Sequence, residues 1–434
     1  VRGWDAERIA AAAGARLVEP GASASGPSRA VIDSRRAGPG DLFVGLPGER
    51  VDGGRFATEV LAAGAWGVLV GEQWAGTDGD GVVLVAADPL VALQRLATAW
   101  RRELGAQVIG VTGSTGKTST KDLLAAMVDQ QRRVVATPLN LNTEIGLPLT
   151  VLSAPEGTEV LVLEMAMRGA GQIAELVAIA EPDVGVVVNV GPVHLELLGT
   201  IEAIAATKAE LIEGLQPGGT AIVPVDEPLL ATHLATLPEG VTTVTFGPGG
   251  DVDELPEGLE LRVGGDRLSA HMRSNALAAL AAARAVGVEP TGRLDVALSE
   301  LRGQRRELPG GLVVIDDCYN ANPMSMRAAL DDLAASTSGR RVAVLGDMLE
   351  LGPDEVRFHE EIGVHARGAG LDLLVTVGPL ATAMGPAFGG TTIAVDRAVD
   401  VVGALRPLLA PGDTVLVKAS RGVGLEVVAQ GLAA

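Results

Sequence analysis

The run Thr112–Thr120, TGSTGKTST, limits the possible folds of this chain more than any other feature. It follows the apolar stretch Gln107–Val111 and leads into helix-forming KDLL. A buried strand that ends at two glycines and turns at once into a helix leaves backbone N–H groups pointing out of the helix start. With the positive end of the helix dipole, these groups form an anion site suited to phosphates. Gly113, Ser114, Thr115, Gly116 and Ser119 then line the cradle, Lys117 reaches the β- and γ-phosphates, and the Thr118 hydroxyl coordinates Mg²⁺. The strict phosphate-loop spacing wants glycine where Val111 stands, so the run is a shortened variant. A ligand-free glycine turn is the alternative, and GKT after a buried strand argues against it.

The surrounding pattern is that of a parallel sheet. Val160–Met165, Val184–Val190 and Ala221–Val225 are short, nearly continuous apolar runs, as strands buried on both faces require. Helical candidates lie between them at Lys117–Gln131, Gly171–Ala180, Ile201–Leu215 and Ser274–Val286, and the glycine-rich stretch Phe246–Ser269 predicts a hairpin or excursion. Before this unit, short apolar runs broken by Gly and Pro predict a small α/β domain, joined to it by a helix over Asp88–Leu104. After a basic turn at Gly303–Gly311 the strand–helix alternation resumes as a doubly wound, Rossmann-like unit. The predicted architecture is therefore three α/β domains, at 1–86, 87–307 and 308–434, with the site where they face one another. A length of 434 residues, too great for one ordinary core, agrees with this.

Composition removes several function classes. A net charge of −20 argues against nucleic acid or an anionic membrane as main partner, and 2% aromatics leaves little for stacking bases. No apolar run approaches the ~18 residues of a membrane span. Asp5 and Glu7 stand where an export signal needs apolar residues, and Cys318 is the sole cysteine, so a reducing cytoplasm is expected.

Several residues carry possible chemistry. Glu164 ends the strand expected beside the phosphate loop, where it fits either Mg²⁺ binding or a solvated strand end. His194 follows another strand of that sheet and fits either a metal shell or an ordinary loop. Lys208 sits on a helix near Glu210, and its chemistry alone predicts a solvent-facing side chain. Asn140, Asn142 and Thr143 cluster in a Gly/Pro loop that can bind a polar substrate or stabilise turns. The segment IDDCYNANPMSM places two carboxylates at a strand end, then Asn320, Asn322 and the chain's only tyrosine, Tyr319; helix capping explains one polar residue there, not four. Arg305 and Arg306 either clamp a phosphoryl group or charge an interdomain hinge.

Taken together, these motifs resemble the Mur ligase family, over essentially the whole chain. VIDSRRAGPGDLFVGLPGERVDGGRF is similar to its uridine-nucleotide-binding first domain. TGSTGKTST, TPLNLNTEIGLPLT, EMAMRG, NVGPVHLELLG and TKAEL are similar to its ATPase domain. DDCYNANPMSMRAAL, VAVLGDMLELG with His359 after it, and VKASRG resemble the third domain of the branch that adds D-alanyl-D-alanine. The DNPR string of the branch adding the third residue is missing.

The resemblance implies an ATP-dependent acid–amino-acid ligase of peptidoglycan precursor synthesis, and hence of cell-wall biogenesis, cell shape and division. Its substrates would be ATP, UDP-N-acetylmuramoyl-tripeptide and D-alanyl-D-alanine, handled by a cytoplasmic monomer. It implies Mg²⁺ ligation by Thr118, Glu164 and His194, and a carbamylated Lys208 that joins them. Lys117, Glu164, His194 and Lys208 would be catalytic. Asn275 would lie on the adenine side, with Asp317, Lys418, Arg421 and one of Arg305 and Arg306 near nucleotide. Ser34, Arg35 and Asp52 would serve the UDP end, and Asn140, Asn142, Thr143, Arg168, Asn320, Asn322 and Asp347 the remaining substrate. The sequence departs from the family pattern at Leu139 and Ala166, where glycine is usual, at Met272 and Pro224, where asparagine is common, and in GQRR, where the family has a GR pair.

Overall fold

The computed structural model describes residues 1, 3–21, 25–264 and 266–433. Among them, the apolar runs pair into four sheets that build three successive α/β domains. The first sheet has the order Arg16–Glu19, Val82–Ala86, Gly67–Gly71, Asp41–Val44, Arg29–Val31, antiparallel only at Arg16–Glu19. Val82–Ala86 and Gly67–Gly71 are wholly buried, which is why each reads as an unbroken apolar run.

The connecting helix, Pro89–Leu104, starts where the sequence says it should. The Asp88 carboxylate accepts from the N–H groups of Leu90 (2.8 Å) and Val91 (3.2 Å), Pro89 supplies a preset φ, and Gly105 ends the helix at φ 60°. Its stripe of Leu93, Leu96, Ala97 and Trp100 is buried in one apolar cluster with Trp4 of the first domain and Leu161 of the second. Trp100 meets Trp4 edge to face at 5.5 Å and donates its Nε1–H to Ala154 O at 3.0 Å.

The second sheet is wholly parallel, in the order Thr242–Phe246, Thr220–Pro224, Val184–Val187, Gln107–Thr112, Val160–Glu164, Val134–Ala136. The phosphate-loop strand Gln107–Thr112 lies at its centre, flanked by Val160–Glu164 and Val184–Val187. Glu164 and the segment leading to His194 therefore emerge at the same carboxyl edge as the loop, the usual location of a site in an open α/β sheet. Gly110 and Gly185 let a helix lie close against this sheet. A Cβ on Gly110 would stand 2.8 Å from Leu211 Cδ1, and one on Gly185 would stand 3.1 Å from Leu211 Cγ. Leu211 belongs to helix Ile201–Glu213, which carries Lys208.

The stretch Phe246–Ser269 does contain a hairpin: Leu259–Val263 pairs antiparallel with Asp266–Arg267, in a three-stranded sheet completed by Gly292–Val296. Residue 265 of that stretch lies outside the described residues. The helix after it begins at Ala270, earlier than its periodicity suggests, because Ser269 caps it by accepting from Met272 N.

The six-stranded sheet of the third domain runs Gln304–Leu308, Leu312–Asp316, Thr414–Lys418, Arg341–Gly346, Leu373–Val377, Thr392–Val395, antiparallel only at its first strand. This corrects the expectation of a basic turn over Gly303–Gly311. Gln304–Leu308 is an edge strand and only Pro309–Gly311 turns, with Gly310 and Gly311 at φ 85° and 78°. The division expected between 307 and 308 falls inside this hairpin, and the sheet of the third domain begins at Gln304. Among the described residues no helix is long and apolar enough to cross a membrane.

Candidate active site

The phosphate loop is held open by polar contacts from the neighbouring strand. Asn189 Oδ1 accepts from the N–H groups of Ser114 (3.1 Å) and Thr115 (2.9 Å), while its Nδ2 donates to Thr115 O (3.1 Å). Ser114 Oγ donates to Gly191 O at 2.9 Å and accepts from Gly191 N at 2.8 Å. Gly116 precedes helix Lys117–Val128 at φ 78°, a conformation that glycine adopts without strain. No side chain caps this helix, so its first N–H groups remain for an anion. Lys117 folds back to donate to Gly113 O at 2.8 Å, and burial holds its pKa below the usual lysine value, against the opposing pull of Glu164.

Glu164, Asn142 and His194 face this loop across a cavity of about 1430 Å³ that also exposes Ser114–Ser119, Asn140, Thr143 and Arg168. Glu164 is 2% exposed. Its Oε1 accepts from Asn142 Nδ2 at 2.8 Å, and its Oε2 is buried without a hydrogen-bond partner. A buried carboxylate oxygen left unpaired calls for a cation, and a hard divalent ion that prefers oxygen fits that need. Among the described residues no three His, Cys, Asp or Glu side chains converge as a ready-made cage. An ion held here would therefore complete its shell from other donors, such as the Thr118 hydroxyl and phosphate oxygens.

Lys208 is the clearest departure from its solvent-facing expectation. It is 2% exposed, and burial, with Lys117 nearby, lowers its pKa well below the lysine norm. The signal was in the sequence: Ile204, Ala205, Lys208, Leu211 and Ile212 form one helical stripe, all buried, with the lysine at its centre. His194 also has a lowered pKa, mainly through burial, and is a neutral imidazole near neutrality; its Nδ1 is bonded to Glu350 of the third domain.

The third domain and the linker close the cavity from the other side. Asn322 caps helix Pro323–Ser336 in a capping box with Ser325, and its Nδ2 reaches Ser114 O of the phosphate loop at 3.4 Å. Lys418 is buried and donates to Asp317 Oδ2 (2.7 Å) and Asn320 O (3.0 Å), so all three expected residues stand together on the cavity wall. The arginine that meets the loop is one the sequence reading passed over. Arg302 donates from Nη2 to Thr118 Oγ1 at 3.2 Å, and its guanidinium lies 3.9 Å from the ring centroid of Tyr319. Its neighbours do otherwise: Arg305 lines the cavity and bonds Ser336, whereas Arg306 does not line it and lies 3.8 Å from Asp316. Arg421 does not line the cavity either, its guanidinium 5.9 Å from the Tyr319 ring. The sequence signal for Arg302 is its place immediately before Gly303, on the other side of that glycine from Arg305 and Arg306.

Other expected residues are placed apart from the cavity. Asn275 is buried beneath the phosphate loop, where a Cβ on Gly116 would meet its Oδ1 at 2.5 Å. The Asp347 carboxylate accepts from Ala381 N at 2.7 Å and does not line the cavity. In the first domain, Arg35 pairs with Asp33 at 2.8 Å beside Ser34. The Asp52 oxygens accept from Gly54 N and Gln73 Nε2, both at 2.8 Å. None of Ser34, Arg35 and Asp52 lines the cavity. His359 is fully buried and neutral, its Nε2 accepting from Met348 N at 2.9 Å, so it braces the loop that carries Glu350.

Known proteins share this arrangement. Residues 111–283 match the family model for the Mur ligase middle domain, and residues 301–421 that for the Mur ligase glutamate ligase domain. The UDP-N-acetylmuramoyl-tripeptide–D-alanyl-D-alanine ligase of Synechocystis sp. is 39% identical over 414 residues, which cover 93% of this chain and 91% of the relative. A crystal structure of MurF from Acinetobacter baumannii matches with a TM-score of 0.85 at 28% identity, covering 99% of this chain and 98% of the other. The MurF ligase of Thermotoga maritima in complex with ADP matches with a TM-score of 0.79 at 32% identity, covering 93% and 96%.

Proposed function

The chain belongs to the Mur ligase family, and we propose that it joins D-alanyl-D-alanine to UDP-N-acetylmuramoyl-tripeptide at the expense of ATP. The observation that carries this reading is the wall-to-wall composition of one cavity. A phosphate loop and the buried acid Glu164 come from one domain, with the buried amine Lys208 behind that wall near Lys117, and Arg302, Asp317, Asn322 and Lys418 close it from the other side. A nucleotide-binding module without a second substrate needs no such facing wall.

In this reading the loop N–H groups and Lys117 grip the ATP phosphates. The terminal carboxylate of the substrate peptide attacks the γ-phosphorus, the bond to the β–γ bridging oxygen breaks, and ADP leaves with that electron pair. The acyl phosphate so formed is attacked at its carbonyl carbon by the free amine of D-alanyl-D-alanine. Its carbon–oxygen bond breaks, phosphate departs and the amine loses a proton. Phosphorylation is required because a carboxylate has no leaving group of its own. Lys117 and Arg302 stabilise the negative charge that spreads over the transferring group, with Arg302 placed over the Tyr319 ring.

Mg²⁺ bound to Thr118, Glu164 and His194 would supply further charge neutralisation on the phosphate oxygens. The unpaired Oε2 of Glu164 supports that assignment. Lys208, buried and inclined to be a neutral amine, is suited to react with CO₂ and contribute a carbamate oxygen to the same shell. Ser34, Arg35 and Asp52 serve the UDP end, remote from the reacting atoms, so that binding energy there positions the carboxylate. Arg168, Asn140, Asn142 and Thr143 face the peptide end, and Asn320 and Asn322 the entering amine. ATP together with one buried thiol suits the cytoplasm.

Oxygen tracing tests this reading. With both oxygens of the acceptor carboxylate labelled with ¹⁸O, one label is expected in the released phosphate and one in the amide. Phosphate without label would overturn the acyl-phosphate route. Lys117→Ala is expected to abolish both products, and near-normal turnover in that variant would remove the phosphate-loop assignment.

A further inference from the structure

We propose that Glu350 of the third domain is the positioning residue of His194, so that the metal-facing imidazole is oriented only when the third domain is docked. The inference rests on the reading of His194 given above and assigns a role to a carboxylate from a different domain.

Three observations lead to it. The first is the bond itself: Glu350 Oε2 contacts His194 Nδ1 across 156 residues of sequence. A carboxylate accepts only, so the ring proton sits on Nδ1 and Nε2 remains the electron-pair donor. Such a carboxylate–imidazole pair is the usual way a metal-binding histidine is fixed in tautomer and orientation.

The second is backbone conformation at both ends. His194 has φ 53° and Glu350 has φ 63°, two of five non-glycine residues in the left-handed region among those described. Each costs energy that a plain loop would avoid, and such residues gather where geometry is functional. The segments also touch through their backbones, Glu196 N donating to Glu350 O at 3.3 Å.

The third is bracing. Residues before Glu350 are tied down on two sides, Met348 N to His359 Nε2 and Leu349 N to Ser420 Oγ, both at 2.9 Å. Ser420 N returns a bond to Asp347 O at 3.0 Å. Glu350 is thus presented by a rigid loop and not by a mobile one. His359 and the Asp347 backbone thus hold this loop without lining the cavity themselves.

The test uses the full chain with ADP and Mn²⁺ as the probe, free Mn²⁺ being read by electron paramagnetic resonance. Glu350→Ala is expected to weaken Mn²⁺ binding by roughly 10–100-fold. Glu350→Gln, which keeps an acceptor oxygen, is expected to recover most of it. Metal-free ADP affinity and the melting temperature should be unchanged in both, and Glu350→Ala should lower kcat without raising KM for D-alanyl-D-alanine. Wild-type Mn²⁺ affinity in Glu350→Ala, equal loss in the Ala and Gln variants, or a raised dipeptide KM with intact metal binding would each overturn the proposal. A wild-type chain that takes up no Mn²⁺ with ADP would instead remove the functional reading beneath it, and the proposal with it.

Discussion

At the scale of single residues, one arginine and one buried lysine carry most of the chemistry. Arg302 offers a planar fork to Thr118 while lying on Tyr319, a geometry lysine cannot copy. Arg302→Lys is expected to lower kcat/KM by roughly 100-fold or more, the scale of losing one transition-state donor. Arg306→Lys should change it by no more than about threefold, since Arg306 does not line the cavity. Equal losses in the two variants would contradict the assignment.

Lys208 makes a different prediction, about stability. Its folded pKa lies below its unfolded one, so between the two the unfolded chain binds more protons and stability rises with pH up to the ordinary lysine range near ~10.4. Without bicarbonate, Lys208→Met is expected to raise the melting temperature at neutral pH and to flatten that rise. A lower melting temperature with an unchanged slope would show that the lysine is not a buried cost. The residue scale is also where the sequence was least transparent. Glu164 was legible because it ends an apolar strand. Arg302 and the partner of His194 were not, because they depend on which loops of separate domains meet. Leu139 falls between: the resemblance leads glycine to be expected there, and its φ of 52° is one that glycine adopts without strain.

At the scale of elements, periodicity located most strands and helices, and errors fell where side-chain chemistry overrode it. Ser269 extends a helix by capping it, and Gln304–Leu308 becomes a strand because an adjacent edge was open to pair with. A close fit in the second domain is that of helix Ile201–Glu213 over Gly110 and Gly185. Gly110→Val would force side-chain carbon to within 2.8 Å of Leu211 Cδ1 and 3.1 Å of Met165 Cε. Overpacking of this kind costs about 1–3 kcal/mol and would push Lys208 away from the cavity. A lower melting temperature together with lost ligase activity is expected. Unchanged activity would mean that the depth of that helix does not matter to the chemistry.

At the scale of the molecule, three domains that are each ordinary α/β layers acquire a function from how they face one another. Polar contacts that join the second and third include Asn322 to Ser114, Arg302 to Thr118 and Glu350 to His194. All three touch the phosphate loop or the metal side of the cavity, so docking of the third domain and assembly of the site are one event. That logic was only partly visible in the sequence, which announced each domain by its motifs but not the pairing between them. The most direct test follows the whole reaction. The chain is incubated with Mg-ATP, UDP-N-acetylmuramoyl-tripeptide and D-alanyl-D-alanine, and the products are weighed by mass spectrometry while ADP and phosphate are counted. The expected result is the joined pentapeptide nucleotide, with one ADP and one phosphate per molecule formed; ADP and phosphate released with no adduct would contradict the account.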